Sequence, residues 1–165
     1  MTLTEWRKTL PPEVAEHFEV IDGRLVEKDV AQVPHGRMLV DLILRLGAQA
    51  PGLALATDVR VVFRDPDQQY DPDLIGVRPG NPVPLGEGWY RGVPDLAVEV
   101  LSRSTEATDR GPKRRVYAAA GVPWYWLADP ARRTVEVLRL DPAAGAYALV
   151  REVPLDALVV PEELR

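Results

Sequence analysis

The chain has 165 residues, 46% hydrophobic and 27% charged, which suits a single domain, 1–165, of ordinary globular composition around one core. A formal charge of −5 removes the global basic footprint of a protein that coats nucleic acid, but not an enzyme whose acidic cluster meets metal ions. The absence of cysteine excludes disulfides and thiolate metal sites. With no signal-like apolar core at the start and no run near the ~20 residues of a membrane span, a cytoplasmic protein is expected.

Pro11-Pro12 ahead of Glu13 to Phe18 predicts a short helix opened by proline. Asp22-Gly23 between two apolar runs predicts a hairpin over Phe18 to Glu27, because such turns need positive φ. Met38, Leu39, Leu42, Ile43 and Leu46 recur at helical spacing between His35 and Ala50, and Pro51-Gly52 ends that helix. Leu53 to Phe63 reads as one strand with Val59, Val61 and Phe63 on one face. A polar loop, Arg64 to Pro72, and a short strand, Asp73 to Val77, follow.

The Gly- and Pro-rich stretch from Arg78 to Gly92 is expected to be an exposed loop. Trp89 and Tyr90 within it read as packing anchors in preference to a contact surface. Pro94 to Ser102 then reads as a buried strand, and the capping-rich run from Ser102 to Asp109 opens a helix that reaches Ala120 and stops at Gly121. Pro112 marks either the first turn of this helix or a junction between two helical pieces. Trp124 to Ala128 and Thr134 to Leu140 are strands joined through Asp129-Pro130, and a last strand lies near Tyr147 to Val153. Helices separating groups of strands predict a mixed α/β or α+β sheet.

Within Pro94-Asp95-Leu96-Ala97-Val98-Glu99-Val100-Leu101-Ser102, Glu99 is the anomaly. A strand buried on both faces is nearly all apolar, and an ionised glutamate there is costly unless a cation or hydrogen-bond donors meet it. A metal or catalytic site is one reason to retain it, and a structural ion pair is the other. Lys113 is one of only three lysines, beside Lys8 and Lys28. It shares a helix face with Val116, Tyr117 and Ala120, so it points toward the sheet unless it snorkels at the helix start. Asp73, in Asp71-Pro72-Asp73, sits at a strand entry, where a turn role competes with a functional one. Asp95 shares a face with Glu99 but lies about 13 Å along the strand, too far for one metal to bridge, so a structural role is expected. Asp109, four residues before Lys113, is positioned to pair with it.

Two carboxylates at adjacent strand ends with a nearby lysine make a hydrolytic arrangement: hard oxygen ligands for Mg²⁺, a metal-activated water, and an ammonium that orients the water or meets developing charge. At Pro72-Asp73, at Pro94 to Ser102, and at Lys113, Tyr117, Gly121-Val122-Pro123 and Tyr125-Trp126-Leu127, the chain resembles the Uma2 endonuclease family of the PD-(D/E)XK superfamily. The resemblance spans about Phe18 to Leu149. It implies a restriction-endonuclease-like mixed β-sheet flanked by helices, and a Mg²⁺-dependent DNA endonuclease, with Mn²⁺ as a substitute. Asp73, Glu99 and Lys113 would be catalytic, and Asp73 and Glu99 would bind the metal. The superfamily places a lysine two residues after the glutamate, where this chain has Leu101; in Uma2 proteins that lysine is thought to have moved to the following helix, which maps to Lys113. An accessory carboxylate near the first core helix maps to Glu27, with His35 at the start of that helix. DNA is the implied partner. A homodimer would suit double-strand cutting, though no sequence feature shows one. The competing reading is a catalytically inactive nucleic-acid or protein-interaction module that keeps the nuclease fold.

Overall fold

The structure, a computed structural model, describes residues 9–15, 17–21, 24–27, 32–63 and 69–165. In chain order these form α1 (Pro12–Ala15), β1 (Phe18–Ile21), β2 (Arg24–Glu27), α2 (Val33–Gln49), β3 (Ala54–Thr57), β4 (Val61–Val62), β5 (Gln69–Tyr70), β6 (Leu74–Val77) and β7 (Leu96–Val100). A short α3 (Glu106–Thr108), a π-helical turn (Asp109–Lys113) and α4 (Arg114–Ala120) then lead to β8 (Trp124–Asp129), β9 (Thr134–Asp141) and β10 (Ala146–Pro154). The main sheet has six strands in the order β10-β9-β8-β7-β6-β3, antiparallel except for the parallel pair β7–β8. A smaller antiparallel sheet runs β2-β1-β5-β4.

The main sheet is the middle layer. Leu74, Leu96, Val98, Val100, Trp124 and Trp126 project to one side and pack under Met38, Leu42 and Leu46, the inward stripe of α2. The chain end folds back over this layer. Gln49 Nε2 donates to the carbonyl of Leu158, while the Val160 N–H donates to Gln49 Oε1. On the opposite side Ile75, Ala97, Leu101, Tyr125 and Leu127 meet Val116, Tyr117 and Ala118 of α4, with Phe63, Tyr70 and Tyr147 around them. Glu99 is on this second side, by strand alternation with Ala97 and Leu101.

Parallel strands cannot be joined by a tight turn, so the β7–β8 pair requires a crossover, and residues 101–123 supply it. Pro112 falls inside the π-helical turn, making it a junction rather than a helix start. Proline has no N–H to give to the preceding turn, and a widened turn accommodates that loss. Gly121 ends α4 in the left-handed region at φ 85°, with its N–H returned to the last turn.

The expected single strand over Leu53 to Phe63 is two strands in two sheets. Asp58, at φ 53°, breaks it, and β3 joins the main sheet while β4 joins the small one. The expected loop from Arg64 to Pro72 contains β5. The hairpin over Phe18 to Glu27 forms, with β1 and β2 antiparallel; its Asp22-Gly23 turn lies outside the described residues. No helix among the described residues is long and apolar enough to cross a membrane.

Leu46 is completely buried between α2 and the sheet. Leu46→Ala is expected to lower stability by about 2–5 kcal/mol, measured by chemical denaturation, since it removes apolar contacts and leaves a cavity in a close-packed layer.

Candidate active site

At the end of β7 the sheet brings together groups from four segments. Leu74 pairs with Val98 and Ile75 with Ala97, so continuing that register by one residue sets Asp73 opposite Glu99. Residues opposed in this way hold their Cβ atoms about 5 Å apart. The backbone N–H of Val100 donates to Asp73 Oδ2 at 2.7 Å, fixing that carboxylate against the strand that carries Glu99. His35, in the first turn of α2, reaches the same oxygen through Nε2 at 3.3 Å. Asp73 Oδ1 has no protein hydrogen bond among the described residues, and this side chain is 26% exposed.

Glu99 is almost fully buried. Its Oε1 takes the Tyr117 hydroxyl at 2.8 Å and faces Lys113 Nζ at 3.1 Å. The inward helix face is the reason: Lys113 and Tyr117 are one turn apart and both look down on β7. Lys113 is itself buried and has a second carboxylate, Asp109 Oδ1, at 3.5 Å. At that distance the contact is chiefly Coulombic, and Asp109 Oδ1 has no aligned hydrogen-bond donor among the described residues. The Tyr125 hydroxyl donates to the backbone carbonyl of Asp109 at 3.0 Å and ties the π-helical turn to β8. Tyr70, Tyr117, Tyr125 and Tyr147 form a chain of ring contacts beside these charges.

The electrostatics follow from this geometry. Burial pushes the Asp109 carboxyl above its ordinary range, and the nearby Lys113 opposes the shift. Burial, followed by the charge of Glu99 and then of Asp109, keeps the Tyr125 hydroxyl neutral well beyond its usual range. The bond to Asp73 raises His35 above its ordinary 6.5, against the opposing effect of its partial burial.

Asp73, Glu99 and Lys113 thus occupy one strand end and the helix above it, and His35 joins through Asp73. Glu27 lies in β2, and its side chain is outside what the structure describes. Asp95 is elsewhere: it accepts the N–H and the Nε of Arg78 and the side-chain amide of Asn81, each at 2.8 Å. Sequence reasoning placed Asp109 beside Lys113 but did not count it among the carboxylates of the site, nor did it find the Tyr117–Glu99 bond. The shared helix face of Asp109, Lys113 and Tyr117 is the signal for both. Among the described residues no group of three or more His, Asp and Glu side chains forms a metal cage.

A family profile described as "Uma2: Putative restriction endonuclease" matches residues 7–165. The chain belongs to the Uma2 family. A solved structure described as "a putative nuclease belonging to DUF820 from Anabaena variabilis ATCC 29413" has a TM-score of 0.73 and 22% identity to it, covering 98% of this chain and 88% of that one. At such identity the likeness establishes the fold alone. No curated protein matches the chain. In this Uma2 chain the strand position two after Glu99 is Leu101, a buried member of the apolar layer, and the lysine that meets Glu99 comes from the helical crossover.

Two outcomes are expected from this geometry. Lys113→Met leaves Glu99 and Asp109 buried without their cation, at a cost of roughly 3–5 kcal/mol by denaturant unfolding, and adding Glu99→Gln recovers part of that loss. In EDTA, stability from the His35–Asp73 bond is fully present below pH 6.5 and is lost as pH rises through the raised folded-state value. The difference in stability between wild type and His35→Gln should shrink across that window.

Proposed function

We propose that this Uma2 chain is a divalent-metal-dependent DNA endonuclease. The single observation that carries the reading is Lys113 Nζ at 3.1 Å from Glu99 Oε1, at the strand end where Asp73 is held opposite. An ammonium and two carboxylates are retained here among buried aromatic and aliphatic side chains, where replacing buried ions by well-packed apolar groups is often neutral or stabilising.

Asp73 and Glu99 would hold the metal. They supply hard oxygen donors, and Mg²⁺ uses one or two carboxylates while water and substrate phosphate complete its shell. The open Oδ1 of Asp73 suits that role. When bound, the ion would lower the pKa of a water and stabilise negative charge on the phosphodiester. Lys113 keeps a fixed positive charge beside the carboxylates, where it can orient the attacking water and meet charge that develops on phosphorus-bound oxygens. Tyr117 fixes Glu99 by hydrogen bonding to it, and Asp109 restrains the lysine from its other side. The backbone N–H of Val100 and the His35 imidazole hold Asp73 in position.

The test is cleavage of single-stranded, duplex and branched DNA by purified protein with Mg²⁺ or Mn²⁺. Asp73→Asn, Glu99→Gln and Lys113→Ala should each reduce cleavage on the order of 100-fold or more. Calorimetry should show divalent-ion binding weakened by Asp73→Asn. Absence of both cleavage and ion binding in wild-type protein would leave the non-catalytic module as the reading to adopt.

A further inference from the structure

The loop from Arg78 to Gly92 is anchored by only one of its two adjacent aromatic residues. Tyr90 is buried; its hydroxyl donates to the Val83 carbonyl at 2.8 Å, and its backbone is stitched to the segment around β4 through the Arg60 carbonyl and the Val62 N–H, both at 2.8 Å. Trp89 is left 46% exposed, so the expectation that both residues pack is met by Tyr90 alone. Gly88, at φ 78°, lets the backbone turn just before the indole.

Two guanidinium groups lie against this ring, Arg60 Cζ at 5.4 Å and Arg91 Cζ at 5.5 Å from its centre. They are held differently. Arg60 makes a bidentate pair with Asp71, at 2.8 and 2.6 Å, and is largely buried. Arg91 is exposed and has no carboxylate partner among the described residues. Asp71 is only two residues before Asp73, so the fixed guanidinium over the indole is tied through Pro72 to the candidate site.

We propose that Trp89, with the guanidinium groups of Arg60 and Arg91 against its ring, is a stacking platform for an unpaired base of the DNA strand that enters the site. This rests on the reading of the protein as a DNA-acting nuclease. An exposed indole beside a residue stitched to β4 offers a π-face to any base once Arg91 moves aside, and such stacking is tolerant of sequence. In a chain with net charge −5, phosphate needs a local cation, and Arg91 is placed to leave the ring for a phosphate once a base takes its place. Arg60, held by Asp71, stays to orient the indole. The platform therefore recognises unstacked bases and favours single-stranded or frayed DNA over a closed duplex.

The experiment is fluorescence anisotropy of a labelled oligo-dT strand and of a labelled closed hairpin duplex, in EDTA at low salt so that no cleavage intervenes. For wild type, Trp89→Ala, Trp89→Phe and Arg91→Ala, circular dichroism confirms the fold. Trp89→Ala should weaken single-strand binding roughly 10- to 100-fold, Trp89→Phe should keep most of it, and the duplex should lose much less. Arg91→Ala should lower the salt slope of single-strand binding by about 0.7. Wild type that binds the strand as tightly as Trp89→Ala and Arg91→Ala overturns the platform and leaves the nuclease reading intact. Equal losses on strand and duplex overturn stacking. Wild type that binds neither and cuts nothing overturns both.

Discussion

One ammonium–carboxylate contact in a buried layer sets the terms for the rest of this protein. Lys113 and Glu99 meet where the surrounding groups are Tyr117, Tyr125, Leu101 and Leu127, and a charge in such surroundings is tolerable only with its counter-charge in place. That requirement reaches outward. Glu99 is buried on a central strand, its cation comes here from the segment that crosses over that strand, and the parallel neighbour makes such a crossover obligatory. The parallel β7–β8 pair thus does more than extend the sheet: its connection is the means by which the lysine is delivered. Leu101 fits the same logic. It packs into the apolar layer because the charge it would otherwise carry arrives from above.

Much of this is legible in the residues because the signals are local. Glu99 stands out against five apolar neighbours, and the inward aim of Lys113 follows from its spacing to Val116 and Tyr117. The α2 stripe and the Gly121 stop depend on periodicity and on a backbone conformation that glycine adopts readily. What is not legible depends on tertiary placement. The break at Asp58 requires a non-glycine residue at positive φ, which no pattern in Leu53 to Phe63 announces. The meeting of His35 with Asp73 joins a helix on one side of the sheet to a carboxylate at a strand entry, and neither sequence neighbourhood contains the other. Trp89 and Tyr90 are adjacent and chemically alike, yet one is inside and the other outside. The difference is set by where Tyr90 pairs with β4.

The two faces of the sheet are asymmetric in chemistry. The α2 side is apolar throughout its buried cluster, and the tail from Leu155 to Leu164 closes it. The α4 side contains the hydroxyls, the carboxylates and the lysine, distributed among aromatic rings. The apolar packing under α2 and the candidate site therefore lie largely in different layers, with the strands β6 and β7 shared between them. A change in the α2 layer can alter the melting of the protein while the spacing of charges on the other side is preserved, provided the strands themselves do not slide.

Whether they slide is decided at Asp95. Its carboxylate takes three hydrogen bonds from Arg78 and Asn81, just beyond the end of β6, and its own N–H goes to Gly76. A one-residue slip between β6 and β7 would face Asp73 with a residue from the opposite side of the sheet, since side chains alternate along a strand. Asp95 makes that slip expensive from a position about four residues away. Asp95 acts as the index mark that keeps Asp73 and Glu99 facing each other, and the Val83 N–H and the Val93 carbonyl orient the Asn81 amide that holds it.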